Sequence, residues 1–216
     1  MGCHLPFFFD LEGTMIEARP ESGGHAAACG QAELALTTRR LILRQPVAGD
    51  TEGLVRIANN MAIAAQMSRL PHPFTLRDAE SWIAAAGAQA DPRDATFIIL
   101  RRSDNAVAGA AALMPAGEGE VELSYFLAQP LWRQGYATEA AQAVVDHAFE
   151  ALADIRAVVA HCRASNRASR RVLEKCGFQH YGSGMCACAA LRSRFAAEAF
   201  ILERSVWWSL KNWGRA

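Results

Sequence analysis

The residues best suited to chemistry lie in one stretch of the chain, residues 125–139, which reads YFLAQPLWRQGYATE. An apolar strand ends before Pro130, and a turn containing Gly135 leads directly into a helix. The first backbone N–H groups of a helix have no partner within the helix, and the peptide dipoles add positive potential there. Gly135 and Ala137 are small enough to let a phosphate approach, and Thr138 adds a hydroxyl. The pattern predicts an anion site, although a helix start without a ligand has the same pattern.

The turn differs from the two best-known phosphate loops, since it has neither the G-K-[ST] of a Walker loop nor G-x-G-x-x-G. It resembles motif A of the GNAT superfamily of N-acetyltransferases, Q/R-x-x-G-x-G/A, with Gly135 and Ala137 in the last two positions. Trp132 replaces the usual Gln or Arg, which is typical of the ribosomal-protein N-terminal (alanine/serine) acetyltransferase-like branch, W-G-x-G-Y-A-T-E-A. Arg133 stands where that branch has its first glycine, so one backbone position is less permissive here.

A second motif follows at the spacing typical of the same family. Residues 166–178, NRASRRVLEKCGF, resemble N-x-x-S-x-x-V-L-E-K-x-G-F. Upstream, residues 36–44 resemble the opening strand of this branch, and residues 71–75 with Trp82 resemble its substrate-side helices. The resemblance covers roughly residues 36–208.

The elements around these motifs predict a mixed α/β (α+β) fold, with a meander of strands followed by strand–helix–strand–helix. The resemblance implies the GNAT fold: a mostly antiparallel sheet of six or seven strands, splayed between the fourth and fifth, with helices on both faces. Asp50 and Thr75 are predicted N-caps of two helices, the second with Asp78 completing a capping box. Gly177 is the predicted left-handed residue after the helix of the second motif.

Three regions are predicted along the chain. Residues 1–35 form a linker-like N-terminal extension, residues 36–208 the GNAT domain, and residues 209–216 a C-terminal tail. Within the extension, Asp10 and Glu12 lie in a segment that resembles the first motif of haloacid-dehalogenase-like phosphatases, with glutamate at the second aspartate's position. The chain has no room for the rest of such an enzyme, which favours a chance match or a remnant.

The charge balance and the cysteine content restrict the kinds of partner and cofactor that the sequence predicts. Twenty-two basic and 22 acidic residues cancel, so no overall field predicts nucleic acid or a membrane as partner. No secretory leader is recognised, and the six cysteines are interpreted as reduced thiols in a cytoplasmic protein. Cys186 and Cys188 form C-x-C without a second pair, so no metal is predicted. A homodimer is possible, since dimers are common in the family.

The resemblance also implies a binding site for acetyl-CoA, used as a co-substrate. The family's pantetheine arm pairs with the strand backbone, here at Phe126, Leu127 and Ala128, and is hydrogen-bonded by Asn166. The pyrophosphate lies on the turn formed by Arg133, Gln134, Gly135, Tyr136, Ala137 and Thr138. In this family a neutral amine, from a protein N-terminus or a small molecule, attacks the thioester directly in a ternary complex without an acyl-enzyme.

Two residues are candidates for proton transfer. Glu122 interrupts an otherwise apolar strand, which is costly unless the carboxylate is partnered, and it is the candidate base. Many GNAT enzymes protonate the leaving thiolate with a tyrosine, whose place here is taken by Leu173, so Ser169 is the candidate acid. A structural hydrogen bond for Glu122 and a solvent-facing position for Ser169 remain open alternatives.

A second function is compatible with the same residues. Leu173 and Arg133 both depart from the family pattern, and a catalytically degenerate GNAT domain could bind acyl-CoA as a sensor or an interaction module without turnover. Because the acceptor pocket is formed by the least patterned parts of the chain, its substrate is not predicted.

Overall fold

The computed structural model describes residues 34–213 and, before them, two short antiparallel strands, β1 (Phe8–Phe9) and β2 (Met15–Ile16). The phosphatase-like positions Asp10 and Glu12 and most of the predicted linker lie outside the described residues. No helix in the described part of the chain is both long enough and apolar enough to cross a membrane.

One eight-stranded sheet forms the centre of the molecule, in the order β3-β4-β5-β6-β7-β8-β10-β9. Every pair is antiparallel except β7 with β8, which confirms the predicted mixed, mostly antiparallel sheet. Its strands are β3 (Ala35–Thr37), β4 (Leu41–Arg44), β5 (Ala95–Arg101), β6 (Val107–Gly117), β7 (Glu120–Leu127), β8 (Ala157–Arg163), β9 (Gln179–Cys188) and β10 (Ser193–Glu203).

The number of strands exceeds the predicted six or seven because the opening segment folds into two short strands rather than one. β3 pairs with β4 through Ala35 and Arg44, so the segment is an edge hairpin. Counting β3 moves the predicted split from between the fourth and fifth strands to between the fifth and sixth, β7 and β8. Three residues of backbone are too short to show a period of two, which is why the sequence pattern missed this strand.

The two parallel strands β7 and β8 separate soon after they meet. Their pairing begins at Glu120 with Ala157 and ends at Glu122 with Val159, while β7 continues to Leu127 and β8 to Arg163. The second half of each strand therefore faces a gap rather than its neighbour.

Helices cover both faces of the sheet. They are α1 (Thr51–Ala58), α2 (Met61–Ala64), α3 (Leu76–Gly87), α4 (Tyr136–Ala151), α5 (Arg167–Lys175) and α6 (Arg204–Asn212). On β5, Phe97 and Ile99 pack in the cluster that includes α4 and α5 residues, whereas Ile98 and Leu100 pack in the cluster with α1 and α3. This alternation shows that the strand is buried on both faces.

Two of the predicted helix caps can be compared with the structure. Thr75 and Asp78 form the predicted capping box at the start of α3. Asp50 is the N-cap residue of α1 as predicted, but its side chain makes no capping hydrogen bond with that helix. Its carboxylate instead accepts the Val47 N–H at 2.8 Å and the Arg44 guanidinium at 2.8 and 2.9 Å, which ties the end of β4 to the helix start.

The C-terminal part is more regular than the sequence indicated. The small-residue stretch at 182–190 lies mostly within the regular strand β9, paired along β10. Helix α6 continues to Asn212, across the predicted beginning of the tail at residue 209. Of the tryptophans near this end, Trp207 is buried and Trp208 is 63% exposed.

Candidate active site

A cleft of about 2050 Å³ opens where β7 and β8 separate. Its walls come from the second halves of these strands, the start of α4, one side of α5, residues 62–69 and the hairpin of β9 and β10. One cleft thus joins the predicted phosphate turn to the region expected to receive the amine.

Most of the predicted site residues line this cleft. Nine of them do so, comprising both catalytic candidates and seven cofactor-binding candidates: Glu122, Phe126, Leu127, Arg133, Gly135, Ala137, Thr138, Asn166 and Ser169. Three do not line it, namely Ala128, Gln134 and Tyr136. The backbone N–H of Ala128 is donated to Ala108 O at 2.8 Å, and the Tyr136 ring packs under the guanidinium of Arg40, 4.2 Å from its centroid.

The turn before α4, the predicted phosphate cradle, contains two residues with left-handed backbone. Gly135 precedes the helix in the left-handed region, with φ of 81°, which glycine adopts without steric cost. Arg133 is also left-handed, with φ of 62°, so the position that is glycine in the family pattern does need glycine-like backbone here. The Trp132 indole N–H donates to Leu127 O at 2.9 Å and so ties the turn to the end of β7.

A pair of side chains outside the cleft holds this turn in place. The Glu139 carboxylate accepts the Arg40 N–H at 2.7 Å, the Arg40 Nε–H at 2.6 Å and the Thr38 hydroxyl at 2.7 Å. Arg40 also donates to Gln134 O at 2.9 Å. Burial raises the pKa of the Glu139 carboxyl, but the hydrogen bonds from Thr38 and Arg40 outweigh burial and hold the pKa below its ordinary value of 4.5. Glu139 therefore stays charged and fastens the turn to the β3–β4 hairpin.

The end of β7 presents backbone groups to the gap. In an antiparallel ladder, N–H groups of successive residues point to opposite edges of the strand. Because the Ala128 N–H points to Ala108 on β6, the Leu127 N–H points away from β6 and towards the side where β8 has left. This backbone donor lies where the two strands have already separated.

Glu122 is partnered, as its place in an apolar strand required. Its Oε1 lies 3.1 Å from His161 Nδ1 on β8, and its Oε2 lies 3.6 Å from Arg69 Nη2. Burial raises the pKa of the Glu122 carboxyl, but the hydrogen bond and charge of His161, together with the charge of Arg69, outweigh burial and hold the pKa below 4.5. Neither partner was found from the sequence, because no local spacing connects either of them with Glu122.

Ser169 lies near the start of α5 and meets a second hydroxyl. Its Oγ is 2.9 Å from Tyr125 Oη, and its N–H donates to Asn166 Oδ1 at 3.1 Å, so Asn166 caps the helix. Burial raises the pKa of the Tyr125 hydroxyl above its ordinary value of 10.0, and the hydrogen bond with Ser169 opposes this only in part. Leu173, at the family's tyrosine position, is buried in the core. A tyrosine hydroxyl therefore enters the site from β7 instead of α5.

The cysteines of this region lack the properties of nucleophiles. Burial raises the pKa of the Cys162 thiol, and it raises the pKa of the Cys176 thiol to about 12. A thiol with a raised pKa stays protonated at neutral pH, whereas the reactive form is the thiolate. Among the described residues no group of three or more His, Cys, Asp or Glu side chains is arranged to hold a metal ion.

Comparison with known proteins shows the family. Residues 40–179 match the model of the family described as Acetyltransferase (GNAT) domain, which is more than half of the chain. The uncharacterized N-acetyltransferase YnaD of Bacillus subtilis (strain 168) is 26% identical over 148 residues, covering 68% of this chain and 84% of that protein. The chain belongs to the GNAT acetyltransferase family, as its two motifs predicted.

Solved structures share the fold. An acetyltransferase of the GNAT family from Bacillus anthracis has a TM-score of 0.69 and 20% identity, covering 80% of this chain and 99% of that chain. RimL, a ribosomal L7/L12 α-N-protein acetyltransferase in complex with coenzyme A, has a TM-score of 0.69 and 17% identity. The match covers 79% of this chain and 98% of the RimL chain. Both structures are less than 25% identical to this chain, so the similarity is one of fold.

The left-handed backbone of Arg133 predicts an effect on stability, and two variants separate the effect of backbone strain from that of the lost side-chain charge. A left-handed conformation costs a non-glycine residue about 1–2 kcal/mol, part of which is offset by the greater flexibility of glycine in the unfolded chain. We therefore expect Arg133→Gly to raise the free energy of unfolding by about 0.5–1 kcal/mol, measured by urea denaturation. Arg133→Ala, which removes the same charge and keeps the strain, is the control. Equal stability of the two variants would show that Arg133 is not strained.

Proposed function

We propose that this chain transfers the acetyl group of acetyl-CoA to a primary amine, either a protein N-terminal α-amine or a small-molecule amine, by direct attack in a ternary complex. The observation that carries the proposal is the gap between β7 and β8, which has the phosphate cradle at one end and the Glu122–His161 pair beside it. A cleft of this kind admits a long thioester between two strands and brings its carbonyl near a proton acceptor.

The residues present fit coenzyme A. The Gly135 turn offers N–H groups and the positive end of α4 to a pyrophosphate, and Arg133 on the turn and Arg167 on α5 add charge along the same cleft. The backbone of β7 that no longer pairs with β8 can hydrogen-bond the pantetheine arm, and Asn166 keeps its amide N–H₂ free of its capping bond. When bound, acetyl-CoA supplies the thioester, and the chain's own residues position it.

We assign to the Glu122–His161 pair the role of accepting the proton that the amine loses. An α-amine titrates near 7.7–8.0 and a lysine side chain near 10.4, so an α-amine needs much less help to become neutral. Glu122 keeps its charge and holds the imidazole by Nδ1, while His161 Nε2 is buried and has no hydrogen-bond partner among the described residues. Carboxylate and imidazole together can attract an ammonium group and accept its proton. The ribosomal-protein acetyltransferase with the same fold supports an α-amine as acceptor.

Residues of β7 and α5 stabilise the two negative charges that develop in the reaction, on the oxyanion and on the leaving thiolate. The Leu127 N–H, directed into the gap, stabilises the developing oxyanion. The thiolate that leaves takes a proton from Ser169 or Tyr125, whose hydroxyls are 2.9 Å apart and form a short proton relay. The relay replaces the tyrosine that Leu173 cannot supply.

The proposal is tested by turnover with acetyl-CoA and a panel of peptides and small amines, with free thiol as the measured product and mass spectrometry to locate the acetyl group. We expect thiol release that depends on the amine. Binding of acetyl-CoA without release for any acceptor would instead support the catalytically degenerate domain, a sensor rather than an enzyme.

Single and double variants test the relay. We expect Ser169→Ala and Tyr125→Phe each to lower kcat by about 10²-fold, since a positioned acid contributes about 10²–10⁴-fold. If both hydroxyls act in one relay, the double variant is no slower than the slower single variant. Multiplying effects would show independent roles, and unchanged kcat in both single variants would remove the relay from the mechanism.

A further inference from the structure

Positive charge is concentrated in the cleft although the whole chain is neutral. Eight cationic side chains line the cleft, against the two carboxylates Glu120 and Glu122. Four lie at the coenzyme end, on the turn and on α5: Arg133, Arg167, Arg171 and Lys175. The three phosphate groups of coenzyme A account for this half. The other four, Arg69, Arg163, Arg192 and Arg194, lie on the walls of the acceptor end and need another explanation.

Arg69 is the cation nearest the proposed reaction centre. Its guanidinium lies 3.6 Å from Glu122 Oε2, with 54% of its side chain exposed, and its other contact is with the weakly accepting Met114 sulfur. The 3.6 Å separation is too long for a hydrogen bond and the Arg69 end of the pair is exposed, so a ligand can separate its members at low cost. An ammonium group beside Glu122 and an anion beside Arg69 would replace one ion pair by two.

A second guanidinium, that of Arg163, lines the same cleft and contacts the segment that carries Arg69. Arg163 follows His161 on the same face of β8 and donates from Nη1 to Ala65 O at 3.0 Å, with Phe195 stacked 4.7 Å below it. One hydrogen bond and one stacked face hold the group still, while its remaining N–H donors, which have no partner among the described residues, can bind a planar anion.

The walls that carry these cations are joined. Ala189, at the end of the β9–β10 hairpin, donates its N–H to Ser68 O at 2.9 Å, next to Arg69 in the chain. Arg192 lies in the same hairpin turn, and Arg194 donates to Met185 O at 3.0 Å across it. The acceptor end of the cleft is therefore lined by a carboxylate–imidazole pair and by guanidinium groups from the joined segments.

We infer that the acceptor is an amine that also carries an anionic group, a carboxylate, within a few bonds of the nitrogen. The inference rests on the proposed function and names its substrate class. Glu122 takes the ammonium, while Arg69, with Arg163 of the same cleft, takes the anion and so orients the nitrogen towards the thioester. A free amino acid and a peptide with acidic residues next to its N-terminus present the same chemistry.

The test compares matched amines that differ only in the anion. In one arm, an amino acid is compared with its amide. In the other arm, a peptide beginning Ser-Asp-Asp is compared with one beginning Ser-Asn-Asn. We expect kcat/KM to be at least about tenfold higher for the anionic member of at least one pair, and the arm that shows it identifies the source. Arg69→Gln should lower kcat/KM for that anionic amine about 10–100-fold and change that of its neutral partner less than about threefold. Arg77→Gln, an exposed arginine on α3 outside the cleft, is the matched control.

The outcomes separate the two proposals. Rapid acetylation of neutral or cationic amines without preference for the anionic partners would overturn this inference and leave the acetyltransferase proposal intact. Equal losses for anionic and neutral amines in Arg69→Gln would also overturn it, since Arg69 would then act on Glu122 alone. Absence of thiol release for every amine would overturn the proposed function, and the inference with it.

Discussion

Gly109→Ala is expected to lower kcat/KM at least about 100-fold. A methyl group at residue 109 on β6 would lie 2.1 Å from Phe126 O and 2.7 Å from the Leu127 side chain. The first of these is a backbone atom, so the end of β7 has to move. That end carries the Leu127 N–H and lies beside the turn, and displacement of a reacting group by about 1 Å can cost about 10²-fold.

The same substitution is expected to cost about 1–3 kcal/mol of stability, as overpacking typically does. Kinetics and denaturant unfolding, with acetyl-CoA binding measured by calorimetry, report the two effects separately. Gly87→Ala is the control, because residue 87 ends α3 and a methyl group there meets nothing within 4 Å. A folded Gly109→Ala variant with normal kcat/KM would show that the position of the end of β7 does not matter for turnover.

Glu122→Gln is expected to lower kcat by about 10²–10⁴-fold while leaving the KM for acetyl-CoA nearly unchanged. The amide keeps the size of the side chain and can still accept a hydrogen bond from His161, so the loss reports the missing charge. His161→Asn should lower kcat into the same range, because it removes the imidazole from the pair. Glu120→Gln is the control, since Glu120 lies in the same strand, two residues earlier, and lines the same cleft.

The pH dependence follows from the pKa of Glu122, which is held below 4.5. The carboxylate is ionised throughout the range above that value, so the ratio of wild-type to Glu122→Gln kcat should stay constant between about pH 5.5 and 8.5. A ratio that approaches one as the pH falls within this range would contradict the assignment. A depressed pKa in the folded state stabilises the fold above the unfolded-state pKa. The stability that Glu122 contributes is therefore lost only as the pH falls below 4.5.

The backbone geometry of the segments proposed to bind acetyl-CoA could be predicted from the sequence because its signals are local. The Gly135 turn and the Asn166–Phe178 motif are short runs in which residue type determines backbone geometry. Gly135 and Gly177 are both left-handed in the structure, with φ of 81° and 92°. The capping box of Thr75 and Asp78 is equally local, as the two residues are three positions apart.

The pairs that complete the site are separated in the chain and became visible only in the fold. Glu122 and His161 are 39 positions apart, and Tyr125 and Ser169 are 44 positions apart. Such pairs depend on strand register and on the docking of a helix, and a shift of one residue turns a side chain to the opposite face. Alternation along β7 places Glu122 on one face and Tyr125 on the other, but only the neighbouring strand and helix determine what each one meets.

By itself the sequence determined the family, the Gly135 turn and the position of the helix that follows it. It could do so because hydrogen-bond donors and left-handed glycines are properties of short segments. Only the tertiary structure decided where β7 and β8 separate, since their pairing ends at Glu122 and Val159 without a break in either strand. It also decided which cations line the cleft. Arg69 comes from a segment that the sequence left unpatterned and Arg163 from the end of the strand β8, and only the fold brings these distant segments to one pocket.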